Sequence, residues 1–209
     1  MPDDITKSIQ KKKIELNAIL EWVVDGQSVL DLGCGRGILL EELKRRRNAY
    51  TVGVDMDFEK ITHCIKRGVN AYHGDIMDIL KSFDNASFDW IICSRTLPEL
   101  ENALEVVLES LRVANRVAVG FINYAYWQNR LSILFNGSRI TNEVYPEPWE
   151  SSRPTNQISV NSFKEFCKQN DIIIHRRHFL RADWRTPCTF LPNLRAGYAI
   201  FEISKKGTK

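Results

Sequence analysis

Three aspartates and three glycines in this chain have the types and the spacing to hold a small polar ligand. Asp31 lies in the apolar run Val29-Leu30-Asp31-Leu32, and Gly33, Gly35 and Gly37 follow at every second position. Asp55 ends a second run, Thr51-Val52-Gly53-Val54, and Asp75 ends a third, Val69-Asn70-Ala71-Tyr72-His73-Gly74. Glycine allows tight turns and lets another molecule reach the backbone with no Cβ in between. An ionised carboxylate accepts hydrogen bonds from hydroxyl and amino groups. A glycine-rich turn between a strand and a helix is the geometry of a nucleotide site, at the carboxyl ends of the strands of an open α/β sheet.

The identity of the nucleotide follows from what is missing. The dinucleotide fingerprint Gly-x-Gly-x-x-Gly/Ala fails at Ile38, and no Gly-Lys-Ser/Thr follows the glycines to make a P-loop. A helix N-terminus attracts the pyrophosphate of NAD, whereas Asp31, just before the loop, opposes an anion. Asp31 suits a ligand with an ammonium and a sulfonium group, as S-adenosylmethionine (SAM) has. In that scheme Asp31, Gly33, Cys34, Gly35 and Gly37 line the ligand. Asp55 accepts from both ribose hydroxyls, with Met56 beside it. Asp75 meets the adenine amino group, Ile76 packs on the ring, and Ser94 closes the set at the end of the fourth strand. Asp57 is better placed than Asp55 to cap the next helix, which leaves Asp55 for the ligand. Gly74-Asp75 reads equally well as an ordinary turn.

These residues need a scaffold, and the apolar periodicity supplies one. Ile9, Leu16, Ile19, Leu20 and Val23 share one face of a helix over residues 5–24, ended by Asp25-Gly26. Strand one is Ser28 to Leu32, and Ile38 to Arg47 is the first crossover helix. Thr51–Asp55, Val69–Tyr72, Trp90–Cys93 and Arg116–Phe121 read as further strands, with a helix from Leu100 whose stripe is Leu100, Leu104, Val107, Leu108 and Leu111. Strands alternating with helices imply a parallel sheet covered on both faces with right-handed crossovers. Ser162 to Asn170 is a last helix, with Phe163 and Phe166 inward. Ile172–Ile174 and Tyr198–Ile203 are two closing strands, the latter antiparallel to its neighbours.

One long connection, about 124–161, stands apart from this pattern. It carries Tyr124, Tyr126, Trp127, Phe135, Tyr145 and Trp149, and is broken by Pro146, Pro148 and Pro154. Long connections in compact domains are usually lids or binding elements, while the stripe Trp127, Leu131, Leu134 and Phe135 would equally seal the open end of the sheet. The whole chain, 1–209, reads as a single domain with this lid-like insertion.

Composition narrows the function classes. The chain has 209 residues, 44% hydrophobic, enough for a sizeable core, with a net charge of +3. Lys11-Lys12-Lys13, Arg45-Arg46-Arg47 and Arg176-Arg177-His178 are short and scattered, so they read as solvated faces in helices or at strand ends rather than a nucleic-acid footprint. No apolar run is long enough to span a bilayer, and Met1-Pro2-Asp3-Asp4 opens no signal peptide, so a cytoplasmic protein is expected. Cys34, Cys64, Cys93, Cys167 and Cys188 form no Cys-x-x-Cys pair, which fits reduced thiols and no zinc site.

The order of these motifs resembles the class I SAM-dependent methyltransferase fold, a Rossmann-like α/β fold. Its mostly parallel seven-stranded sheet has helices on both faces and an antiparallel last strand. Within that fold the chain resembles the methionine biosynthesis protein W (MetW) family. The segments that carry the likeness are Leu30-Asp31-Leu32-Gly33-Cys34-Gly35, Ser94-Arg95-Thr96-Leu97, Phe121 to Trp127 with Arg130-Leu131, and Leu191-Pro192-Asn193-Leu194. The chain departs from the family pattern at Arg36, Ile122, Ala125-Tyr126 and Asn156.

The resemblance implies a SAM-dependent methyltransferase linked to methionine biosynthesis, with S-adenosylhomocysteine (SAH) as product. The alternative it leaves is a non-catalytic SAM-binding partner or regulator of a homoserine O-acyltransferase. The acceptor would be a small molecule, not nucleic acid or membrane. Methyl transfer chiefly needs alignment and exclusion of water. Tyr124, Tyr126 and Glu99 are the candidate bases, Arg95 and Arg130 the candidate carboxylate binders, and no catalytic residue is singled out. Ser94-Arg95-Thr96-Leu97-Pro98-Glu99 stands where an Asn/Asp-Pro-Pro-Tyr motif would mark an adenine or amide acceptor.

Overall fold

A computed structural model describes residues 17–137, 142, 144 and 155–207. Ile9, Leu16, Tyr145, Pro146, Pro148, Trp149, Pro154 and the Lys11–Lys13 cluster lie outside the described residues.

Helix α1, described over 17–22, leads to β1 (Ser28–Leu32). Then come α2 (Ile38–Arg47), β2 (Tyr50–Asp55), α3 (Phe58–Lys66), β3 (Asn70–His73), α4 (Ile76–Ser82) and β4 (Phe88–Ser94). A 3₁₀ turn at Leu97–Glu99 precedes α5 (Ala103–Val113) and β5 (Ala114–Ile122). Last are α6 (Trp127–Asn136), α7 (Val160–Gln169), β6 (Ile172–Leu180), α8 (Pro192–Arg195) and β7 (Tyr198–Lys205).

The seven strands form one sheet in the order β3-β2-β1-β4-β5-β7-β6. β1 to β5 pair parallel, and β7 pairs antiparallel with both β5 and β6. β7 is thus the one reversed strand of this sheet. The chain winds outward from β1 to β3, then returns to place β4 on the other side of β1. That reversal opens a crevice at the carboxyl ends of β1 and β4. Asp31 stands beside Gly53 and Ile92 in the register, close to that end.

The strands are apolar without strict polar alternation because both faces are covered. Leu30, Leu32, Val52 and Val54 face a core that includes Leu80, Val107, Leu111 and Phe163. Val29 points the other way, with Trp90 and Ile92, into a core holding Ile19, Trp22, Leu40, Leu43 and Ile61. β3 is an edge strand and largely exposed.

Several elements differ from their expected form. α5 begins at Ala103, and its buried face is Val106, Val107, Ser110, Leu111 and Val113, leaving Leu104 and Leu108 exposed. The face is rotated because Ser110 enters the core at little expense, its hydroxyl donating to the Val106 carbonyl at 2.7 Å. β6 is three times the expected length and contains Arg176-Arg177-His178. Arg176 is held in it by the buried Glu202 of β7, 2.9 Å away. The apolar stripe of α6 does not seal the sheet: Leu134 and Phe135 are 74% and 75% exposed. All five cysteines are free and buried.

Candidate functional site

The glycine loop between β1 and α2 is pinned to its neighbours at several points. Gly33 and Cys34 donate their N–H groups to the Val54 carbonyl at 2.8 and 3.0 Å. Gly35 N–H donates to Asp55 Oδ2 at 2.9 Å. From the turn after β4, Thr96 donates its hydroxyl to the Leu32 carbonyl at 2.9 Å and stands directly over Gly33. A Cβ on Gly33 would come 2.3 Å from Thr96 Oγ1, and its φ of +74° is itself unfavourable for other residues. The loop ends at Gly37, and no side chain caps the N-terminus of α2.

Asp55 does more than face a ligand. It is buried, and its Oδ1 accepts from the Asp57 N–H at 2.9 Å while Oδ2 takes Gly35. Lys60 Nζ lies 3.7 Å from Oδ1. The expectation that Asp57 leaves Asp55 wholly free is therefore corrected: Asp55 also ties β2 to the loop. Each carboxylate oxygen has a further lone pair, so two ribose hydroxyls can still be accommodated. Asp57 caps α3 as expected, accepting from Glu59 and Lys60 N–H. Those bonds, the Lys60 one foremost, and the nearby Lys60 charge hold its carboxyl below the usual range.

Asp75 caps α4, its Oδ1 accepting from Met77 and Asp78 N–H at 2.8 and 3.4 Å. The turn reading is thus correct for one oxygen, and Oδ2 is left for a further donor. Ile76 is buried in the core with 7% exposure, so it offers an adenine ring little area. Met56, 70% exposed beside Asp55, offers more. Asp31 is buried, and its charge helps to push the Cys93 thiol up to about 12, after burial. Cys34 contributes backbone only, because its side chain turns into the core.

The other half of the crevice lies past β4. Ser94 Oγ is 3.2 Å from the Tyr198 hydroxyl. Tyr198 packs on Trp184, ring centroids 4.7 Å apart, and the Arg95 guanidinium sits 6.0 Å over the Trp184 ring. Arg95 has φ +61°, a left-handed conformation that costs about 1–3 kcal/mol for such a residue and recurs at functional sites. Its N–H donates to the Gly120 carbonyl at 2.7 Å, which holds it there. Sequence spacing gave no hint of Tyr198 or Trp184, which reach the site only through the sheet order. Of the other candidates, Tyr126 is buried, Glu99 and Arg130 are exposed, and Arg130 donates to the Ala125 carbonyl. Among the described residues no group of three or more His, Cys, Asp or Glu is placed to hold a metal.

The Asn123 amide links distant segments. Buried at the end of β5, its Nδ2 donates to the Asn193 and Ala196 carbonyls at 3.1 and 2.7 Å. Its Oδ1 accepts from Ala125 and Val160 N–H at 3.3 and 3.2 Å.

The sheet order, the glycine loop and the acidic end of β2 define the class I SAM-dependent methyltransferase fold. A structure of magnesium protoporphyrin IX methyltransferase from Synechocystis PCC 6803 with bound SAH has this fold. It superposes with a TM-score of 0.65 at 15% identity, covering 94% of this chain and 84% of that one. The model of the family "Methionine biosynthesis protein MetW" matches residues 13–203, and the chain belongs to that family. It is 27% identical, over 99% of its length, to the bifunctional methionine biosynthesis protein MetXA/MetW of Rhodopirellula baltica. It is 34% identical over 43% of its length to a ubiquinone biosynthesis O-methyltransferase of Hahella chejuensis. The chain spans 34% and 39% of the lengths of these two relatives. No helix among the described residues is long and apolar enough to cross a membrane.

Proposed function

We propose that this chain binds SAM in the crevice at the carboxyl ends of β1, β2 and β4 and transfers its methyl group to a small acceptor in methionine biosynthesis. One observation carries the reading: the buried Asp55 carboxylate holds Gly35 at 2.9 Å, so the glycine loop and the acidic strand end form one cradle. The donor set fits the ligand. Asp31 and Asp55 place negative charge where a cationic cofactor lies, and Asp55 and Asp75 have acceptor capacity left for ribose and adenine. Met56 gives an exposed apolar face, and the loop from Gly33 to Gly37 would bring backbone, with no side chain at the three glycines, against the ligand. SAM, when bound, supplies an electrophilic methyl on its sulfonium.

The residues past β4 do the rest. Ser94 ends β4 beside the crevice, its hydroxyl 3.2 Å from that of the fully buried Tyr198, and the Arg95 guanidinium lies over the buried Trp184 ring behind it. We read the whole chain as one domain with a lid-like insertion at about 124–161, the kind of long connection that aligns reactants and excludes water. The test is calorimetric titration of the protein with SAM and SAH, followed by a product screen against small acceptors. Absence of binding to either compound would sink the proposal.

A second reading has its own support. α6 carries Leu131, Ile133, Leu134 and Phe135, all exposed, and large exposed apolar patches mark interaction sites. The Rhodopirellula relative joins a MetXA part and a MetW part in one chain. On this reading the protein binds and regulates a homoserine O-acyltransferase through that face. Mixing the two purified proteins and measuring acyltransferase rate and complex mass decides it; Leu134→Lys with Phe135→Ser should abolish the complex.

A further inference from the structure

Behind the glycine loop two thiols meet. Cys34 Sγ, in the loop, lies 3.8 Å from Cys64 Sγ, on α3. Both residues are buried, and Cys64 donates its S–H to the Gly35 carbonyl at 3.2 Å. The space for the sulfurs is made by a glycine on β2 and by the glycine that ends the loop itself. A Cβ on Gly53 would fall 2.6 Å from Cys34 Sγ, and one on Gly37 would fall 2.9 Å from Cys64 Sγ. The pair is asymmetric. The hydrogen bond from Cys34 lowers the Cys64 thiol, while that bond, burial and the charge of Asp31 push Cys34 up. Cys64 is thus the better nucleophile and Cys34 keeps its proton.

We propose that Cys34 and Cys64 form an oxidisable dithiol whose closure to a disulfide disables the cofactor loop. The oxidant is a hydroperoxide. Cys64 thiolate attacks one peroxide oxygen, the O–O bond breaks, and the departing oxygen leaves as water (or an alcohol) with the thiol's proton. The resulting sulfenic acid is attacked by Cys34 sulfur. The S–S bond forms, the S–O bond breaks, and hydroxide leaves as water with the Cys34 proton. Two thiols lose two hydrogens and the peroxide is reduced. The sulfurs must close from 3.8 Å to about 2.05 Å. That draws Cys34 toward α3 and strains its N–H bond to the Val54 carbonyl and the neighbouring Gly35–Asp55 bond. The effect on ligand binding rests on the cofactor reading above; the bond itself does not.

The full chain, fully reduced, is treated with hydrogen peroxide, alkylated, denatured and mapped without reductant. The expected product is one Cys34–Cys64 link, with Cys93, Cys167 and Cys188 still alkylatable, and reversal by dithiothreitol. SAH affinity should fall at least tenfold on oxidation and recover on reduction, while Cys64→Ser should be insensitive to oxidant. A map lacking the Cys34–Cys64 link overturns the proposal, as does an oxidised protein that binds SAH like the reduced one. Reduced protein that fails to bind SAH defeats the cofactor reading and the loop's role with it, while the thiol pair still stands or falls on the map.

Discussion

The Asn123 side chain donates to the Asn193 carbonyl at 3.1 Å and so joins the end of β5 to α8, the short helix before β7. Its other bonds reach Ala125, Val160 and Ala196. The segments Phe121–Trp127 and Leu191–Leu194, which carry the family resemblance, are therefore parts of one hydrogen-bonded unit. Asn123→Ala leaves several buried backbone groups unpaired at about 1–3 kcal/mol each. Chemical denaturation should show a loss of about 3 kcal/mol or more, with SAH affinity reduced only as far as the fold is lost.

Asp55 serves both ligand and loop, and the two roles separate by variant. Asp55→Ala should weaken SAH binding about ten- to a hundredfold, since hydrogen bonds to charged groups contribute about 1.5–3 kcal/mol. It should also lower the thermal midpoint, because Gly35 and Asp57 lose their acceptor. Asp57→Ala should lower stability slightly through the α3 cap and leave affinity near that of the parent. Calorimetry and thermal unfolding of both variants check this.

Gly120 is set by the Tyr198 hydroxyl, which a Cβ would approach to 2.1 Å. Tyr198 is fully buried and has no room to retreat. Gly120→Ala should therefore destabilise by about 1–3 kcal/mol. Adding Tyr198→Phe should recover part of that loss, because the clashing oxygen is gone. If the double variant is no more stable than the single, the hydroxyl is not the obstacle.

His175 predicts a pH dependence. Burial, then the charge of Arg116, lowers its pKa below the reference value of 6.5. Its Nε2 accepts from Arg116 at 2.9 Å and lies 2.8 Å from Ser204 Oγ. A histidine whose folded pKa is depressed stabilises the fold above the unfolded pKa. That contribution is lost as pH falls from about 6.5 through the folded pKa. Urea unfolding between about pH 7.5 and 5.5 should show the decline, and His175→Gln should flatten it; the change is small because the ring is largely exposed.

What could be read in advance was local. The loop Gly33 to Gly37, the strand ends at Asp31 and Asp55 and the cap at Asp57 each depend on residues a few positions apart. The class and order of the elements followed from the same kind of pattern. Contacts across the chain left no mark. Tyr198 meets Ser94 only because β7 enters the sheet beside β5, and no periodicity encodes that. In α5, Val107 and Leu111 are buried as the stripe predicts, but Leu104 and Leu108 face outward and Ser110 takes a core position, because a serine that hydrogen-bonds its own helix counts as polar in any pattern. Leu134 and Phe135 follow helical spacing and yet face outward, since spacing fixes a face but not what lies against it.

The position of β7 sets the order in which the molecule can be finished. The last strand in chain order is interior, flanked by β5 and β6. During synthesis β5 and β6 are made first, and each waits with an open hydrogen-bonding edge until β7 emerges and slots between them. Such waiting edges invite pairing with other chains, and contacts so distant in sequence are slow to form. Loss of β7 would thus not fray an end but split the sheet, leaving β6 with no strand to hold it.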